Sequence, residues 1–584
     1  MKMKKFLAVL LTLVVFVVPM FANGVNEKTI TILETSDIHG TIAPWDYASD
    51  KSYDGSLAQA ATIIKQQRAI DPELLLLDCG DSLQDNMIQE FRFDEENPMI
   101  KAMNYLEYDA WELGNHEFNF EYNNLLRAIN QANFPVLGGN IVKADGTPFV
   151  NEYIVRNIDG VSVAIFGIEA PHVTRWEASN PEHYNLMTFR TPMEQTERMV
   201  KELYGKYDVL ICLAHYGEDG EYETAGMREI AQKYGDKVNA FLIGHAHSNL
   251  CEQLDNGTWL IEPGSKCSNV GKVTITLQQL VAGGKWFVTA TKGELLPIYK
   301  AKVPSDKDFM ALMNYVYEEA RAKANKVVGQ VGADFLPSLW WNDLEGIPTA
   351  IVQDTAMMDL INKIQMEETG ADTSLAALFT TQSNLKKGDF KKRDGVLIYK
   401  YDNTLMAVRV TGAQLKEIIE LRAGTFFNDF TEGDYTISFN PKIRMYNYDM
   451  FAGVNYDIDI SRPAGDRIVN ITFNGEPLKA DQELVLAMNN YRYGGLSGAG
   501  LISAKPEDLV YNTGLAIRDL IADYVEKSGT IMPECDNNWK IIGYEFPADK
   551  DAVYAKIRAG EIKIPVSEDG RTPNIKSINI KDIK

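Results

Sequence analysis

The chain is poor in cysteine, in histidine and in positive charge. Its 584 residues include 5 cysteines and 7 histidines, and 58 basic residues stand against 81 acidic ones, which gives a net charge of −23 at pH 7. So few and scattered cysteines exclude a disulfide framework, although Cys251 and Cys267 could pair around a hairpin and the sequence leaves this open. Because an acidic surface repels polyanions, we expect no long nucleic acid as a partner.

Long apolar runs are also missing, except at the N-terminus. Lys2, Lys4 and Lys5 precede an apolar run over 6–18, and Pro19-Met-Phe-Ala22 is typical of a processing region. We therefore predict a signal peptide over residues 1–22. No later run reaches the roughly 18–20 apolar residues that cross a bilayer. We expect an exported protein, periplasmic or extracellular, that meets a membrane only if the signal is retained as an anchor.

A chain of this length exceeds what one hydrophobic core supports, so at least two domains are expected. Over 28–302, short apolar strands alternate with helical stretches, which predicts α/β layering. A charged, alanine-rich segment over 303–330 is predicted to be a connector helix. Residues 331–546 form a second predicted domain with a helix over 355–367, and we expect the polar tail 547–584 to be loosely attached. The predicted strands of the first domain cover 29–33, 74–78, 161–166, 209–213, 240–243 and 270–277.

Five of the seven histidines lie in short polar loops that directly follow apolar runs. Open α/β sheets place their sites beyond the carboxyl ends of their strands, so these loops are expected to meet. Each loop alone is weak support, because Asp37-x-His39 is a common pattern and Asn115-His116 could be a helix-capping turn. Together, in this order, they predict a two-metal hydrolytic site. The loops are Thr35-Ser-Asp37-Ile-His39, Cys79-Gly-Asp81, Gly114-Asn-His116-Glu117, Ala214-His215 and Gly244-His-Ala-His247.

Two cations about 3.5–4 Å apart need a bridging carboxylate and nitrogen and oxygen ligands. Asp81 follows a strand of four leucines and is the expected bridge, while Asp37 and His39 are expected on one extended loop, facing the same side. The donor types suit zinc, manganese, iron or cobalt alike. His116 is left over as a candidate acid or hydrogen-bond donor to a phosphoryl oxygen. The predicted ligands are Asp37, His39, Asp81 and His247 for one metal and Asp81, Asn115, His215 and His245 for the other.

The order of these loops resembles the calcineurin-like metallophosphoesterases. Further motifs in the C-terminal half extend the resemblance to the exported bacterial 5′-nucleotidase family, and most closely to its 2′,3′-cyclic-nucleotide 2′-phosphodiesterase/3′-nucleotidase branch. The resemblance implies an N-terminal four-layer α/β sandwich joined by a helix to a C-terminal α/β substrate-binding domain. It also implies action on small nucleotides, and we expect a monomer. The C-terminal motifs are Tyr401-Asp-Asn-Thr-Leu405, Val410-Thr-Gly412, Asn489-Asn-Tyr491-Arg-Tyr493-Gly-Gly495 and Asp536-Asn-Asn-Trp539.

In that family two aromatic rings clamp the base. Tyr491 matches one ring, and Tyr446 is the better match for the other, with Tyr448 as the near alternative. Gly494 and Gly495 are expected to let the backbone approach the ligand closely. The resemblance therefore assigns these tyrosines and glycines to substrate binding.

One position departs from the 5′-nucleotidase branch, which carries an aspartate three residues after its catalytic histidine. Here Asn119 stands there, as a hydrogen-bond acceptor that supplies no negative charge, and this favours hydrolysis of 2′,3′-cyclic nucleotides and then of 3′-nucleotides. The alternatives are a 5′-nucleotidase or nucleotide-sugar hydrolase, a cyclic-dinucleotide phosphodiesterase, and an exported nucleotide-binding protein without turnover. The basic cluster over 386–393 is interpreted as a solvated charge run outside the site.

Overall fold

A computed structural model describes residues 26–584 apart from 178, 179, 185, 402, 569, 571 and 584. The predicted signal peptide, residues 1–22, lies outside the described residues. Among the residues that are described, no helix is long and apolar enough to cross a membrane.

The N-terminal half is built on two six-stranded mixed sheets whose apolar faces meet. Ile30 and Leu77 of one sheet belong to the same buried cluster as Val163 and Ile211 of the other. All six strands predicted for this half are present. The first sheet has the order Trp286–Pro297, Asn269–Gln279, Asn26–Thr35, Leu75–Asp78, Ala110–Glu112 and Val136–Leu137, and the second Asn249–Gln253, Trp259–Pro263, Ala240–Ile243, Val209–His215, Val161–Glu169 and Tyr153–Ile158.

Helices cover the outer face of each sheet, so the half has four layers, as predicted. Leu57–Ile70, Pro98–Tyr105 and Tyr122–Gln131 pack on the first sheet, and Pro192–Leu203 and Met227–Tyr234 pack on the second. A long helix, Lys307–Ala324, follows Trp286–Pro297, the last strand of the first sheet in sequence, and lies within the predicted connector segment. Its buried residues Phe309, Met313, Val316 and Ala320 join the core beneath the first sheet.

The C-terminal half has a central five-stranded mixed sheet flanked by helices and two smaller sheets. The predicted helix over 355–367 is present as Ala356–Thr369. The central sheet has the order Asp449–Ala452, Thr373–Ala377, Glu483–Asn489, Thr404–Thr411 and Leu509–Ala516. The smaller sheets contain Gly388–Lys391, Val327–Val331 and Thr530–Ile531, and Glu476–Pro477, Ile468–Phe473, Asn455–Asp459 and Trp539–Ile542. The other helices of this half are Thr349–Val352, Lys392–Ile398, Gly412–Ile419, Asn490–Gly498, Ile517–Ser528 and Lys550–Arg558.

The prediction of a loosely attached tail was wrong. Helix Lys550–Arg558 buries Val553, Tyr554 and Ile557 in the core of the C-terminal half. The Tyr554 hydroxyl donates a hydrogen bond to the Tyr435 carbonyl at 2.8 Å. The charged residues Asp551, Lys556 and Arg558 of this helix are exposed, so the polar composition of the segment concealed its buried face.

The possible bridge between Cys251 and Cys267 is absent, since both thiols are free.

Candidate active site

The first two polar loops run side by side, because the strands that precede them are parallel neighbours. The Asp37 amide donates to the Gly80 carbonyl and the His39 amide to the Asp81 carbonyl, both at 2.9 Å. Gly80 has a φ of +94°, and a Cβ there would lie 2.6 Å from the Gly114 nitrogen. Only glycine lets these loops approach so closely.

The expectation of an extended loop at Asp37 and His39 was wrong. Their φ angles are 50° and 48°, and those of Asp81, His245 and His247 are 54°, 82° and 58°. Left-handed backbone is uncommon in residues other than glycine, and each instance costs about 1–3 kcal/mol. Five of the seven predicted ligands therefore turn back toward one point through strained backbone.

Asp37, His39 and His247 come together in one group, with one ligand atom from each lying within 4.8 Å of the others. The Nε2 atoms of the two histidines are 3.1 Å apart, and His247 Nε2 is 3.2 Å from Asp37 Oδ1. Two imidazole nitrogens and a carboxylate oxygen facing one another form a nitrogen and oxygen donor set suited to a divalent metal.

Asp81, His215 and His245 form the second group, again with one ligand atom from each within 4.8 Å of the others. His215 Nε2 lies 3.0 Å from Asp81 Oδ2, and the Asn115 carbonyl oxygen is 3.2 Å from His215 Nε2 and 2.8 Å from His245 Nδ1. The other nitrogen of His215 contacts the Cys79 carbonyl at 2.6 Å. Because a carbonyl only accepts, Nδ1 carries the proton and Nε2 is left to bind a metal.

The electrostatics of both groups fit a pair of cations. Burial raises the pKa of Asp37, but the neighbouring His247 and His215 bring it down to about 2. Burial likewise opposes ionisation of Asp81, yet His215 and His116 hold its pKa well below the usual range. Burial lowers the pKa of His39 to about 4, so this imidazole is neutral at pH 7, as a ligand must be. Two ionised carboxylates at 0–1% exposure need compensating positive charge.

Glu117 is a functional residue that the sequence interpretation missed. Its carboxylate accepts four backbone N–H bonds, from Asp81, Ser82, Leu83 and Gly114, at 2.7–3.0 Å. It thereby ties the loop that carries Asp81 to the loop that carries Asn115 and His116. Its place inside the Gly114–Glu117 motif was the available signal.

His116 lies outside both groups, with its Nε2 3.9 Å from Asp81 Oδ2. Its Nδ1 lies 2.5 Å from Asn119 Oδ1, which accepts a hydrogen bond from it. Both residues line the cavity described next.

A cavity of about 1170 Å³ separates the two halves of the molecule above the ligand loops. His39, His245 and His247 lie in one wall, and Tyr491 lies in the wall formed by the C-terminal half. Tyr446 is 38% exposed and is not among the residues that line this cavity. Its carbonyl accepts a hydrogen bond from Arg492, the neighbour of Tyr491 in sequence. Tyr448, the alternative, is fully buried against Phe426 and cannot contact a ligand.

The two glycines lie elsewhere than expected. A Cβ at Gly494 would lie 3.1 Å from the Arg175 carbonyl of the N-terminal half, and neither Gly494 nor Gly495 is among the cavity-lining residues. Gly494 therefore allows helix Asn490–Gly498 to approach the short helix Val173–Trp176 across the cleft.

The interpretation of the basic cluster as a solvated charge run was also incomplete. Lys392 forms an ion pair with Glu90 of the N-terminal half at 3.1 Å. Arg393 donates to the Ala48 carbonyl at 3.1 Å and lines the cavity. Both residues therefore help to hold the two halves together.

Two family models match the chain, one in each half. Residues 30–249 match the calcineurin-like phosphoesterase model, and residues 344–503 match the 5′-nucleotidase C-terminal domain. Divalent metals are implied by the first family, and the two ligand groups are candidate sites for them.

Two curated relatives and one solved structure each match about nine-tenths of this chain. Proteins named 2′,3′-cyclic-nucleotide 2′-phosphodiesterase/3′-nucleotidase from Haemophilus influenzae and Salmonella typhimurium are 28% and 27% identical, over 89% and 92% of this chain and 88% and 95% of theirs. The 5′-nucleotidase precursor of Thermus thermophilus shares the fold, with a TM-score of 0.59 at 18% identity over 89% of this chain and 100% of that one. The chain is therefore a metallophosphoesterase that joins a calcineurin-like phosphoesterase domain to a 5′-nucleotidase C-terminal domain.

Proposed function

We propose that the protein hydrolyses 2′,3′-cyclic nucleotides to 3′-nucleotides, and these to nucleoside and phosphate. The observation that carries the proposal is the position of the two ligand groups and the uncommitted His116 in one wall of a cavity whose other wall presents Tyr491. The names of the two relatives above favour the cyclic and 3′ substrates. Asn119, where the 5′-nucleotidase branch carries aspartate, agrees with them.

Each side chain has a proposed role. Asp37, His39 and His247 would hold one divalent cation and Asn115, His215 and His245 the second, with Asp81 proposed as a ligand to both. Bound cations of this kind polarise phosphate oxygens and make a water nucleophilic at neutral pH. With a proton on Nε2 as well as on Nδ1, His116 would direct its Nε2–H toward the phosphoryl group, where it stabilises developing charge or protonates the leaving ribose oxygen.

The base is proposed to stack on Tyr491, with Tyr446 completing the clamp if the two halves shift relative to each other.

The protein is also proposed to be exported, on the basis of residues 1–22. A second candidate function is 5′-nucleotidase activity, because proteins of that name from Vibrio vulnificus and Vibrio cholerae are 23% and 22% identical over 86% of the chain.

The decisive experiment compares 2′,3′-cyclic AMP, 3′-AMP, 5′-AMP and a nucleotide sugar at matched concentration, with products separated by chromatography. We expect turnover of the first two, and its loss on chelation. Much faster hydrolysis of 5′-AMP would replace the proposal with the second candidate.

His116→Ala should lower turnover by about 10²–10⁴-fold while two metals stay bound, whereas loss of a metal from that variant would make His116 a ligand. Asp81→Ala should lose both metals together.

A further inference from the structure

The side chains behind His116 continue into the protein as a chain of hydrogen bonds. Asn119 Nδ2 lies 2.7 Å from Glu177 Oε1, on the far side of the amide from His116. Glu177 follows the short helix Val173–Trp176, nearly sixty residues away in sequence, and is 4% exposed. A buried carboxylate therefore contacts Asn119, the residue that was expected to leave His116 without a nearby negative charge.

The chemistry of the groups fixes the direction of each bond. A carboxylate only accepts, so the amide nitrogen of Asn119 must face Glu177 and its oxygen must face His116. An amide oxygen only accepts as well, so His116 Nδ1 carries a proton. Nε2 is then the nitrogen that faces the cavity, and Glu177 determines this orientation through Asn119.

His183 holds the carboxylate in place from the other side. Its Nδ1 donates to the Phe118 carbonyl at 2.9 Å and lies 3.4 Å from Glu177 Oε2. Phe118 belongs to the same short turn as His116. His183 is 8% exposed, so Glu177 is held against the turn that carries His116 in a largely dry environment.

We propose that Glu177 is a positioning residue that orients the Asn119 amide and thereby keeps a proton on His116 Nδ1, which gives the Nδ1–H tautomer when the ring is neutral. Nε2 is then the nitrogen that takes up and delivers a proton at the phosphoryl group. Asn119 and Glu177 together take the place of a single aspartate beside the histidine, with the negative charge moved one side chain further away. The part that concerns catalysis rests on the proposed function, whereas the tautomer of His116 can be measured without substrate.

The test exchanges the two side-chain types. In Glu177→Gln the carboxylate no longer selects one orientation of the Asn119 amide, and in Asn119→Asp two carboxylates face each other across 2.7 Å. Loss of a hydrogen bond to a charged group corresponds to about a 10- to 100-fold fall in kcat, and we expect this in each single variant with KM within about twofold. The double variant Asn119→Asp/Glu177→Gln restores a donor facing an acceptor and should recover most of the lost kcat.

Glu182→Gln is the matched control, because Glu182 is exposed on the neighbouring turn and Asn119 is bonded to Glu177 instead. Histidine-selective ¹⁵N NMR of the metal-loaded protein should show His116 as the Nδ1–H tautomer in wild type and Glu182→Gln, and a mixture in Glu177→Gln. Metal content should be equal in all variants. Single-variant effects that simply multiply in the double variant, or an unchanged tautomer in Glu177→Gln, would overturn the inference. A wild-type protein that hydrolyses no nucleotide would refute the proposed function instead, and the NMR result would still decide the role of Glu177.

Discussion

Glu117→Gln replaces one oxygen of a buried carboxylate that accepts four backbone hydrogen bonds, and it should destabilise the protein strongly. Oε1 accepts from Ser82 and Leu83 at 2.8 and 3.0 Å, and Oε2 accepts from Asp81 and Gly114 at 2.8 and 2.7 Å. Glutamine keeps one acceptor oxygen and turns an NH₂ group toward two N–H donors. Two bonds to a charged group are lost at about 1.5–3 kcal/mol each, so unfolding should become easier by about 3–6 kcal/mol. That is a large part of a typical total of roughly 5–15 kcal/mol.

The assay is urea unfolding with metal analysis at pH 8.5. Burial and the nearby Asp81 raise the pKa of Glu117 to about 7, against the pull of the backbone N–H groups, so the carboxylate is ionised at that pH. We expect a lower urea midpoint and weaker metal retention, because the loop that carries Asp81 and the loop that carries Asn115 are no longer held together by Glu117.

Glu112→Gln is the matched control. Glu112 is as deeply buried, and neither of its carboxyl oxygens has a hydrogen-bond partner within the described part of the chain. Burial holds its pKa well above the usual range, which favours the neutral acid, so replacement by the amide should cost only about 1 kcal/mol. Equal urea midpoints and equal metal content in the two variants would refute the reasoning.

Three further outcomes are expected. Tyr491→Ala should raise KM by about 5- to 150-fold with a smaller change in kcat, because stacking on a base contributes about 1–3 kcal/mol; an unchanged KM in steady-state kinetics would remove Tyr491 from the site. A Cβ in Gly244→Ala would overlap Ser36 Oγ and lie 2.9 Å from Asp37 Oδ2, so metal analysis should find the variant depleted, and full occupancy would contradict this. Burial and the nearby Asp354 and Asp536 raise the pKa of Asp359 to about 7, so its stabilising contribution is present at low pH and lost as pH rises from about 4 to 7. Asp359→Asn should therefore gain urea resistance relative to wild type as pH rises through that range, and a constant difference would show that the carboxyl titrates normally.

The positions of the ligand loops followed from the sequence because they depend on a local pattern. An apolar run such as Leu75–Asp78 is typical of a buried strand, and the polar residues after such a strand emerge at the sheet edge. The backbone of those loops did not follow, since nothing in Asp37-x-His39 distinguishes an extended loop from a left-handed turn. The hydrogen bonds from Asp37 and His39 to the neighbouring loop impose that turn, and they are tertiary contacts.

Residues that act at a distance in sequence were the least predictable. Tyr446 and Tyr448 differ by two positions and have the same chemistry, yet only packing against Phe426 decides that Tyr448 is core. Glu177 had no motif around it, and its relation to Asn119 exists only in the folded chain. The tail was misread for the opposite reason, since Val553, Tyr554 and Ile557 already had helical spacing and their polar neighbours concealed it.

The burial of so much acid beneath the ligand loops explains how a chain of net charge −23 can bind a phosphate group. Burial raises the pKa of Glu34, Glu112 and Glu169 well above the usual range, which favours their neutral forms and reduces the negative charge beneath the site. Asp37 and Asp81 alone among the proposed ligands stay ionised, because histidines face them. With two divalent cations in place, four positive charges would outweigh these two negative ones and the floor of the cavity would attract anions despite the acidic surface. On this argument the metals supply the attraction for substrate as well as the chemistry, so phosphate binding should depend on them before any bond is broken.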